Sequence, residues 1–268
     1  MAKKIVVWII LIIVLAVTIF LIINNISKSN PQYVAHQGYS SKYPGNTALS
    51  FTKAAEMPFY GIETDIKQTS DGLFVCNHDN TVVYNDGTKL KISTSTYAEL
   101  KAKPLKNDKT EDEVYLCGFD EYLDICKNGG KIAVIELKED FADEKVAKAF
   151  EIIDAHYDRS KCIFIAFDFD SICRVHSYDG NVEVQYLSKE INDKNIEKCL
   201  NLGISLDIQF ALCTEILVKK FHAKGLKVNV WTVNSKIVKE FLRRMKVDYI
   251  TTNKLYENWN IQKLYNYS

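Results

Sequence analysis

Apolar extended segments alternate with amphipathic segments along nearly the whole chain, and this alternation restricts the possible folds more than any other feature. Amphipathic segments with the spacing of a helix, placed between extended segments, are typical of parallel sheets whose strands are joined by helices. It favours an eight-stranded (βα)8, or TIM, barrel, with a doubly wound open sheet as the alternative. The extended segments are 33–35, 62–66, 73–76, 132–137, 163–167, 182–187, 204–206, 228–231 and 249–250. The helical segments are 48–57, 119–127, 143–157, 169–177, 192–200, 214–224 and 236–245.

Nine candidate strands are one too many for an eight-stranded barrel. The link 70–72 between the second and third segments is too short for a parallel crossover, which needs a dozen or more residues. We therefore predict that 62–67 and 73–77 form an antiparallel hairpin with a two-residue turn. In that register His78 lies opposite Asp65.

A 19-residue apolar run at the N-terminus predicts a transmembrane helix. It extends from Ile5 to Ile23 with Thr18 as its one polar residue, and at about 1.5 Å per residue it nearly spans a hydrocarbon core of about 30 Å. We expect residues 1–30 to form a membrane anchor and linker, and residues 31–268 to form the barrel domain. The alternatives are a buried core helix, which is normally shorter, and a cleaved signal peptide, although no small-x-small cleavage site follows the run.

Charged residues predict how this segment is oriented in the membrane, and the charge balance of the chain argues against a nucleic-acid partner. Lys3 and Lys4 precede the run and Lys28 follows it, so the positive-inside rule predicts a single-pass protein with a cytoplasmic N-terminus and an extracellular domain. The 34 basic and 34 acidic side chains of the chain balance, and the domain without those three lysines is slightly acidic. We therefore predict no nucleic-acid partner, since that would require a concentrated basic surface. The sequence does not indicate an oligomeric state.

All seven cysteines lie in the predicted barrel domain. Their number is odd, and no pair has the spacing of a zinc site. We interpret them as buried apolar thiols. In an oxidising exterior some of them could pair, and the sequence does not say which.

Acidic side chains end two of the predicted strands. Glu63 and Asp65 are separated by one residue, so they project from the same face of a strand, and the same holds for Glu136 and Lys138. Barrel active sites gather at such strand ends. Three carboxylates suit Mg²⁺ or Ca²⁺, and the ammonium suits a phosphate oxygen. For either pair alone, a solvated strand edge is the alternative.

Two histidines also stand at strand ends. His36 follows the first segment and His78 follows the third. An imidazole has a pKa near neutrality, so the two could divide general-base and general-acid work. A structural role is the alternative for each. His156, His176 and His222 fall in helical patterns, and we interpret them as structural.

A series of short motifs occurs in a fixed order between Tyr33 and Thr252. They are Ala35-His36-Gln37-Gly38, Pro44-Gly45-Asn46-Thr47, Glu63-Thr64-Asp65, Asp71-Gly72, His78-Asp79, Glu136-Leu137-Lys138, Val230-Trp231-Thr232-Val233-Asn234 and Asp248-Tyr249-Ile250-Thr251-Thr252. Taken together, they resemble the motifs of the glycerophosphodiester phosphodiesterase family.

This resemblance implies a TIM barrel that hydrolyses glycerophosphodiesters to glycerol 3-phosphate and an alcohol. It assigns His36 and His78 as the acid/base pair and the three carboxylates as ligands of a divalent cation. It makes Lys138 a phosphate contact and Trp231 an apolar wall for the alcohol, with packing inside the barrel as the alternative for Trp231. With an external, tethered domain, the expected substrates are small phosphodiesters or glycerol-phosphate polymers.

The chain departs from the family pattern at two positions near the expected phosphate. The family usually has His-Arg-Gly and Pro-Glu-Asn-Thr, where this chain has Gln37 and Gly45. Gln37 can still donate a hydrogen bond to phosphate, but losing a charge-assisted contact costs about 1–3 kcal/mol. These departures leave a catalytically weakened binding module for phosphate esters or polymers as one alternative. Within the enzyme class, the alternative is a lyase that forms cyclic phosphates from lysophospholipids. Tyr84 and Asn85, where the family has Arg-Thr, leave substrate selectivity open.

Overall fold

The structure is a computed structural model that describes residues 12–15 and 30–255. Residues 12–15 are helical, and the rest of the predicted anchor lies outside the described residues. Within the described ranges, no helix has both the length and the apolar character needed to cross a bilayer.

Eight parallel strands close into a barrel, as the alternating pattern predicts. Sheet order runs β1-β11-β10-β9-β8-β7-β6-β2, and β1 pairs with both β11 and β2. All nine predicted extended segments are strands, and the ninth, β3, adds to the outside of β2. The strands are β1 (Gln32–Ala35), β2 (Gly61–Gln68), β3 (Phe74–Cys76), β4 (Thr81–Val83), β5 (Lys89–Lys91), β6 (Ile132–Leu137), β7 (Cys162–Ala166), β8 (Glu183–Ser188), β9 (Ser205–Gln209), β10 (Val228–Trp231) and β11 (Tyr249–Thr252).

Helices cover the outside of the barrel and bury one apolar stripe each. In the longest of them, Val146, Ala149, Phe150 and Ile153 are buried, a spacing that places them on one face. The helices are α1 (Ala48–Ala55), α2 (Tyr97–Lys101), α3 (Phe119–Gly129), α4 (Asp143–His156), α5 (Phe169–Tyr178), α6 (Asp193–Leu202), α7 (Glu215–His222) and α8 (Lys236–Met245). All seven predicted helices are present, and the short α2 was not predicted.

The apolar core has an outer and an inner part. The outer part fills the space between strands and helices. The inner part is small and comprises Val34, Val134, Ile163, Ile165, Leu187 and Tyr249. Inside the barrel, buried polar side chains accompany it, including Gln185, Asp207 and Asn229, so the interior offers room for polar chemistry at its carboxyl-terminal end.

β2 and β3 form the predicted antiparallel hairpin, but the predicted register is wrong by one residue. Asn77, and not His78, lies opposite Asp65, and its N–H donates to the Asp65 carbonyl at 2.9 Å. The loop contains three residues because Gly72 adopts φ +82°, the left-handed conformation that closes a three-residue hairpin loop. A two-residue turn would have shifted every cross-strand pair.

An extension of the barrel follows β3 and was not predicted. It contains the β4–β5 hairpin and α2, and it has its own apolar cluster formed by Val75, Val82, Tyr84, Ile92, Leu100 and Leu116. The loop between β3 and β4, residues 77–80, carries His78.

The seven cysteines are free thiols, and all are buried except the partly exposed Cys173. Burial raises the pKa of Cys199 and of Cys213 to about 12. The interpretation of these residues as apolar thiols is therefore confirmed.

Candidate active site

Three buried carboxylates meet at the carboxyl end of two neighbouring strands. Glu63 and Asp65 lie on β2, and the parallel register pairs Asp65 with Glu136 of β6. One oxygen from each residue lies within 4.8 Å of the others. The side chains are buried at 1%, 0% and 7% exposure. The sequence predicted this convergence, because both strands run in the same direction and end at the same mouth.

Amide N–H groups of Gln37 and Asn46 hold one oxygen of Asp65 and one oxygen of Glu63 in place. Asp65 Oδ2 accepts from Gln37 Nε2 at 2.8 Å and from Asn46 Nδ2 at 2.7 Å. Glu63 Oε2 accepts from the Gln37 N–H at 2.8 Å. In the part of the chain that the structure describes, the other oxygen of Glu63 and Oδ1 of Asp65 have no hydrogen-bond donor. The carboxylates are thus oriented, but each keeps an oxygen available for a ligand.

The pKa shifts of the three carboxylates indicate that the cluster has too little positive charge around it. Burial raises the pKa of Glu63, and the charge of Asp65 raises it further. Burial, then Asp65, raise the pKa of Glu136 to about 8. Burial would also raise the pKa of Asp65, but the Lys138 ammonium and the Asn46 hydrogen bond hold it below its usual value. One lysine does not neutralise three buried acids.

Lys138 is that lysine, and it lies between two of the acids. Its ammonium is 2.9 Å from Glu136 and 3.5 Å from Asp65. Burial acts to lower its pKa, but Glu136 and Asp65 outweigh this effect and raise it, so the side chain remains charged at neutral pH. The donor set of oriented, buried oxygens with incomplete partners fits a hard divalent cation such as Mg²⁺ or Ca²⁺. Glu63, Asp65 and Glu136 would hold it.

His36 lies at the end of β1 and is fixed by a side chain from the end of β11. Its Nδ1 is 2.8 Å from Oδ1 of Asn253. Because an amide oxygen only accepts, Nδ1 carries the proton and Nε2 keeps its lone pair. Burial lowers the pKa of His36, although Asp65 and Asn253 oppose this. The neutral imidazole is therefore favoured, which is the form that accepts a proton.

His78 lies in the loop after β3 and is far more exposed. Its side chain is 57% accessible, and Nδ1 is 2.9 Å from the carboxylate of its neighbour Asp79. The charge of His78 is close enough to act on the pKa of both His36 and Asp65. The residues next to both histidines contact Asp65, Asn77 through its N–H and Gln37 through its side chain, so both predicted histidines lie beside the carboxylate cluster despite the register error.

Gln37 and Gly45, the two departures from the family pattern, depend on each other. A Cβ atom on residue 45 would lie 2.7 Å from Gln37 Oε1 and 3.0 Å from Gln37 Cβ. The missing side chain of Gly45 thus leaves room for Gln37, whose amide donates to Asp65. Sequence reasoning expected Gln37 at the phosphate, whereas its observed contacts are with the carboxylates.

An aromatic pair lies at the mouth on a different side of the barrel. Trp231 ends β10, and Phe167 follows β7. Their ring centroids are 5.6 Å apart at an interplanar angle of 85°, an edge-to-face geometry. Phe167 is 39% exposed. The sequence singled out Trp231 but not its partner.

Sequence reasoning missed several polar residues of this region. Asn46 belongs to a recognised motif, and Asn253 directly follows another, so their positions carried a signal. Asp207 carried none, because it lies between the apolar Leu206 and Ile208 and is buried in the barrel interior at 1% exposure. Both its oxygens lack a donor among the described residues. Burial, then the charge of Glu136, raise its pKa.

The remaining histidines lie on the outer helices. His156 is 3.0 Å from Asp124, and His222 is 2.8 Å from Asp248. Neither they nor His176 were predicted to act in catalysis, and these partners give two of them structural contacts.

A closed (βα)8 barrel with carboxylates, a lysine and two imidazoles at its carboxyl-terminal mouth is typical of an enzyme with a polar active site. The sequence profile described as the Glycerophosphoryl diester phosphodiesterase family matches residues 36–257. The chain therefore belongs to this family, and it is a phosphoric diester hydrolase by class.

Individual relatives agree with this assignment. A glycerophosphodiester phosphodiesterase of Bacillus altitudinis is 25% identical over 231 residues, covering 82% of this chain and 93% of the relative. A crystal structure of a glycerophosphodiester phosphodiesterase from Parabacteroides distasonis aligns with a TM-score of 0.72 at 27% identity, over 84% of this chain and 94% of that one.

A third relative shares the fold. It is an Oleispira antarctica phosphodiesterase in complex with the product sn-glycerol-3-phosphate, with a TM-score of 0.77 at 22% identity, over 88% of this chain and 97% of that one.

Proposed function

We propose that this protein hydrolyses glycerophosphodiesters to glycerol 3-phosphate and an alcohol, with a divalent cation held by Glu63, Asp65 and Glu136. The observation that carries the proposal is the meeting of these three buried carboxylates with two imidazoles in one mouth. When bound, the cation would neutralise charge that develops on the phosphoryl oxygens and polarise the attacking oxygen.

The two histidines divide the proton transfers. His36 is partly buried, favoured in its neutral form and oriented by Asn253, so it acts as the general base toward the attacking hydroxyl or water. His78 is solvent-accessible beside Asp79 and donates a proton to the departing alcohol oxygen. Each such transfer contributes typically about 10²–10⁴-fold to the rate.

The other predicted residues take supporting roles. Lys138, already close to two of the acids, contacts a phosphoryl oxygen and stays charged through the reaction. Gln37 orients Asp65 and Glu63, and its proposed contact with the phosphate is secondary. Trp231, backed by the edge of Phe167, forms the apolar wall for the alcohol.

The product class follows from the family and from a relative. The structure of the Oleispira antarctica phosphodiesterase contains the product sn-glycerol-3-phosphate, which supports the same product here. Oxygen ligands alone favour Mg²⁺ or Ca²⁺ over softer metals.

The cellular location rests on the sequence. The apolar run from Ile5 to Ile23, preceded by Lys3 and Lys4, supports a single-pass anchor with the domain outside the membrane. Phosphodiesters of lipid headgroups and glycerol-phosphate polymers are the substrates that such a domain would meet.

The test is glycerol 3-phosphate release from glycerophosphocholine by the full-length protein in detergent. The protein is first stripped with EDTA and then supplied with Mg²⁺ or Ca²⁺. We expect no product from the stripped protein and stoichiometric glycerol 3-phosphate and choline after one cation is restored. Full activity in the presence of EDTA, or a stable cyclic phosphate as the final product, would contradict the proposal.

A further inference from the structure

We propose that Lys67 is a positioning residue for His78: its buried ammonium fixes the loop 77–80 against the strand that carries the carboxylates. This inference rests on the proposed function, because it concerns how the second imidazole is held for proton transfer.

The position of Lys67 follows from the period of β2. Glu63, Asp65 and Lys67 alternate along this strand, so they project from the same face. Lys67 therefore lies one step beyond the carboxylates toward the mouth. Its exposure is 4%, which is unusual for a lysine, since this residue type is almost never buried without a partner.

The partner of Lys67 is not an acid. Its Nζ donates to Asn80 Oδ1 at 2.7 Å. Between residues 30 and 255, no ion pair within 4.0 Å includes this ammonium. Burial lowers the pKa of Lys67, and Glu139 opposes this. The hydrogen bond from this buried ammonium to a neutral loop amide is energetically important, because losing the acceptor leaves a buried N–H donor unsatisfied.

The loop that carries His78 is held at its two ends. At its start, the Asn77 N–H donates to the Asp65 carbonyl at 2.9 Å. At its end, the Asn80 side chain accepts a hydrogen bond from the Lys67 ammonium, and the Asn80 carbonyl accepts one from the Ile92 N–H at 3.0 Å.

The imidazole between these ends has little support of its own. It contacts the carboxylate of the adjacent Asp79, which is itself 79% exposed. The position of His78 relative to the carboxylates thus depends on the loop ends. One end is tied to β2 by backbone, and the other is tied to β2 by Lys67.

Burial separates this role from direct binding of substrate. His78, Asp79 and Asn80 are exposed, while Lys67 lies beneath them. The ammonium is therefore placed to act on the loop.

The experiment compares Lys67→Met and Asn80→Ala in the full-length enzyme. Both remove the contact, the first from below and the second from the exposed side, so the second remains informative if the first impairs folding. We expect kcat for glycerophosphocholine to fall by about 10–100-fold with KM nearly unchanged, since displacing a catalytic group by about 1 Å can cost about 10²-fold. Lys67→Arg should recover part of the rate.

Lys131→Met is the matched control. Lys131 is a partly buried lysine with no acid within 4.0 Å among the described residues, and its amine donates to the carbonyl oxygens of Met57 and Phe59 at 2.7 and 2.8 Å. It lies at the opposite end of the barrel, before β6. We expect it to change the melting temperature without changing kcat.

A double variant, a binding measurement and NMR spectra distinguish a positioning role of Lys67 from substrate contact and from a general effect on stability. In His78→Ala, adding Lys67→Met should cause no further loss of activity, and glycerol 3-phosphate should bind the metal-loaded protein equally with or without Lys67→Met. In histidine-labelled protein, Lys67→Met should shift the His78 imidazole NMR signals and leave those of His36 in place. Additive losses, unchanged His78 signals or an unchanged kcat in Asn80→Ala would overturn the positioning role. Full activity of His78→Ala itself would instead refute the proposed function.

Discussion

The two histidines of the mouth are built by different parts of the molecule. His36 follows a barrel strand, is only partly exposed and is held by Asn253 from the neighbouring strand end. His78 lies outside the closed barrel, in a loop of the extension, and its side chain is 57% exposed.

This difference shows how one fold can combine rigidity with access. The strand-built side holds the carboxylates and His36 through the barrel's hydrogen-bonded register, so its geometry is set by the fold itself. The extension side reaches the same mouth through a loop with few ties, so its geometry depends on single contacts. Because His78 is exposed, it can exchange protons with solvent between turnovers.

The largest expected effect comes from breaking the strand-built side. Glu136→Gln keeps the size of the side chain but removes one charged oxygen ligand, so kcat/KM should fall by about 10³-fold or more, as expected when a main electrostatic contribution is lost. The measurement is steady-state hydrolysis of glycerophosphocholine at saturating Mg²⁺ or Ca²⁺. Glu183→Gln is the control, because Glu183 pairs with Lys227 at 2.7 Å at the start of β8, and it should retain wild-type kcat. Wild-type kinetics in Glu136→Gln would contradict the carboxylate site.

Removing each imidazole compares the two sides directly. His36→Ala and His78→Ala should each lower kcat by about 10²–10⁴-fold while the melting temperature changes little. A substrate with a better leaving group, such as a p-nitrophenyl diester of glycerol phosphate, should restore much of the rate of His78→Ala, because its leaving oxygen needs no proton. It should not restore His36→Ala. Equal rescue of both variants would mean that the acid and base roles are not divided in this way.

Gly45→Ala tests how tightly the strand-built side is packed. The new Cβ would press on Gln37 and displace its amide from Asp65, so kcat/KM should fall by about tenfold, the scale of one hydrogen bond to a charged group. Gly180→Ala is the control, since a Cβ there meets one atom only, at 3.8 Å. If Gly45→Ala is as active as Gly180→Ala, the coupling between Gly45 and Gln37 is not functional.

The smallest effect concerns the barrel interior beneath the mouth. The pKa of Asp207 is raised in the folded state above its ordinary 3.8 by burial. The folded state therefore binds this proton more tightly than the unfolded state, and its stabilising effect is complete below pH 3.8 and is lost as pH rises toward the folded-state pKa. Asp207→Asn does not titrate, so its stability relative to wild type should grow as pH rises from 4 toward the folded-state pKa of Asp207, by up to about 1.4 kcal/mol per pH unit. Chemical denaturation of both proteins at pH 5, 6 and 7 measures this, and a pH-independent difference would show that Asp207 ionises normally.

The sequence predicted the strand-built side better than the extension. Apolar strands recur with helices between them, and parallel strands must end at one mouth, so the meeting of Glu63, Asp65 and Glu136 followed from the fold. β4, β5 and α2 were missed because they are three to five residues long and lack an extended apolar pattern. The hairpin register failed at Gly72, since a positive φ at one residue decides between two- and three-residue loops.

Buried polar residues were the second feature that the sequence pattern did not predict. Lys67 and Asp207 lie in strands where polar residues alternate with apolar ones, and that pattern is typical of a strand with one face in water. In a small barrel, the second face is the interior, and period two alone does not distinguish it from solvent. Family motifs identified the residues that carry chemistry, but they assigned no role to the amides that orient them, Asn46 within a motif and Asn253 directly after one.

The central claim is that three carboxylates from β2 and β6 hold one divalent cation. Its most direct test is a calorimetric titration of the EDTA-stripped, full-length protein with Mn²⁺, Mg²⁺ and Ca²⁺, paired with Glu136→Gln. We predict one bound equivalent for wild type, with proton release on binding because Glu63 and Glu136 must ionise, and weakened or absent binding in the variant. No binding to wild type, or the same affinity in Glu136→Gln, would contradict the account.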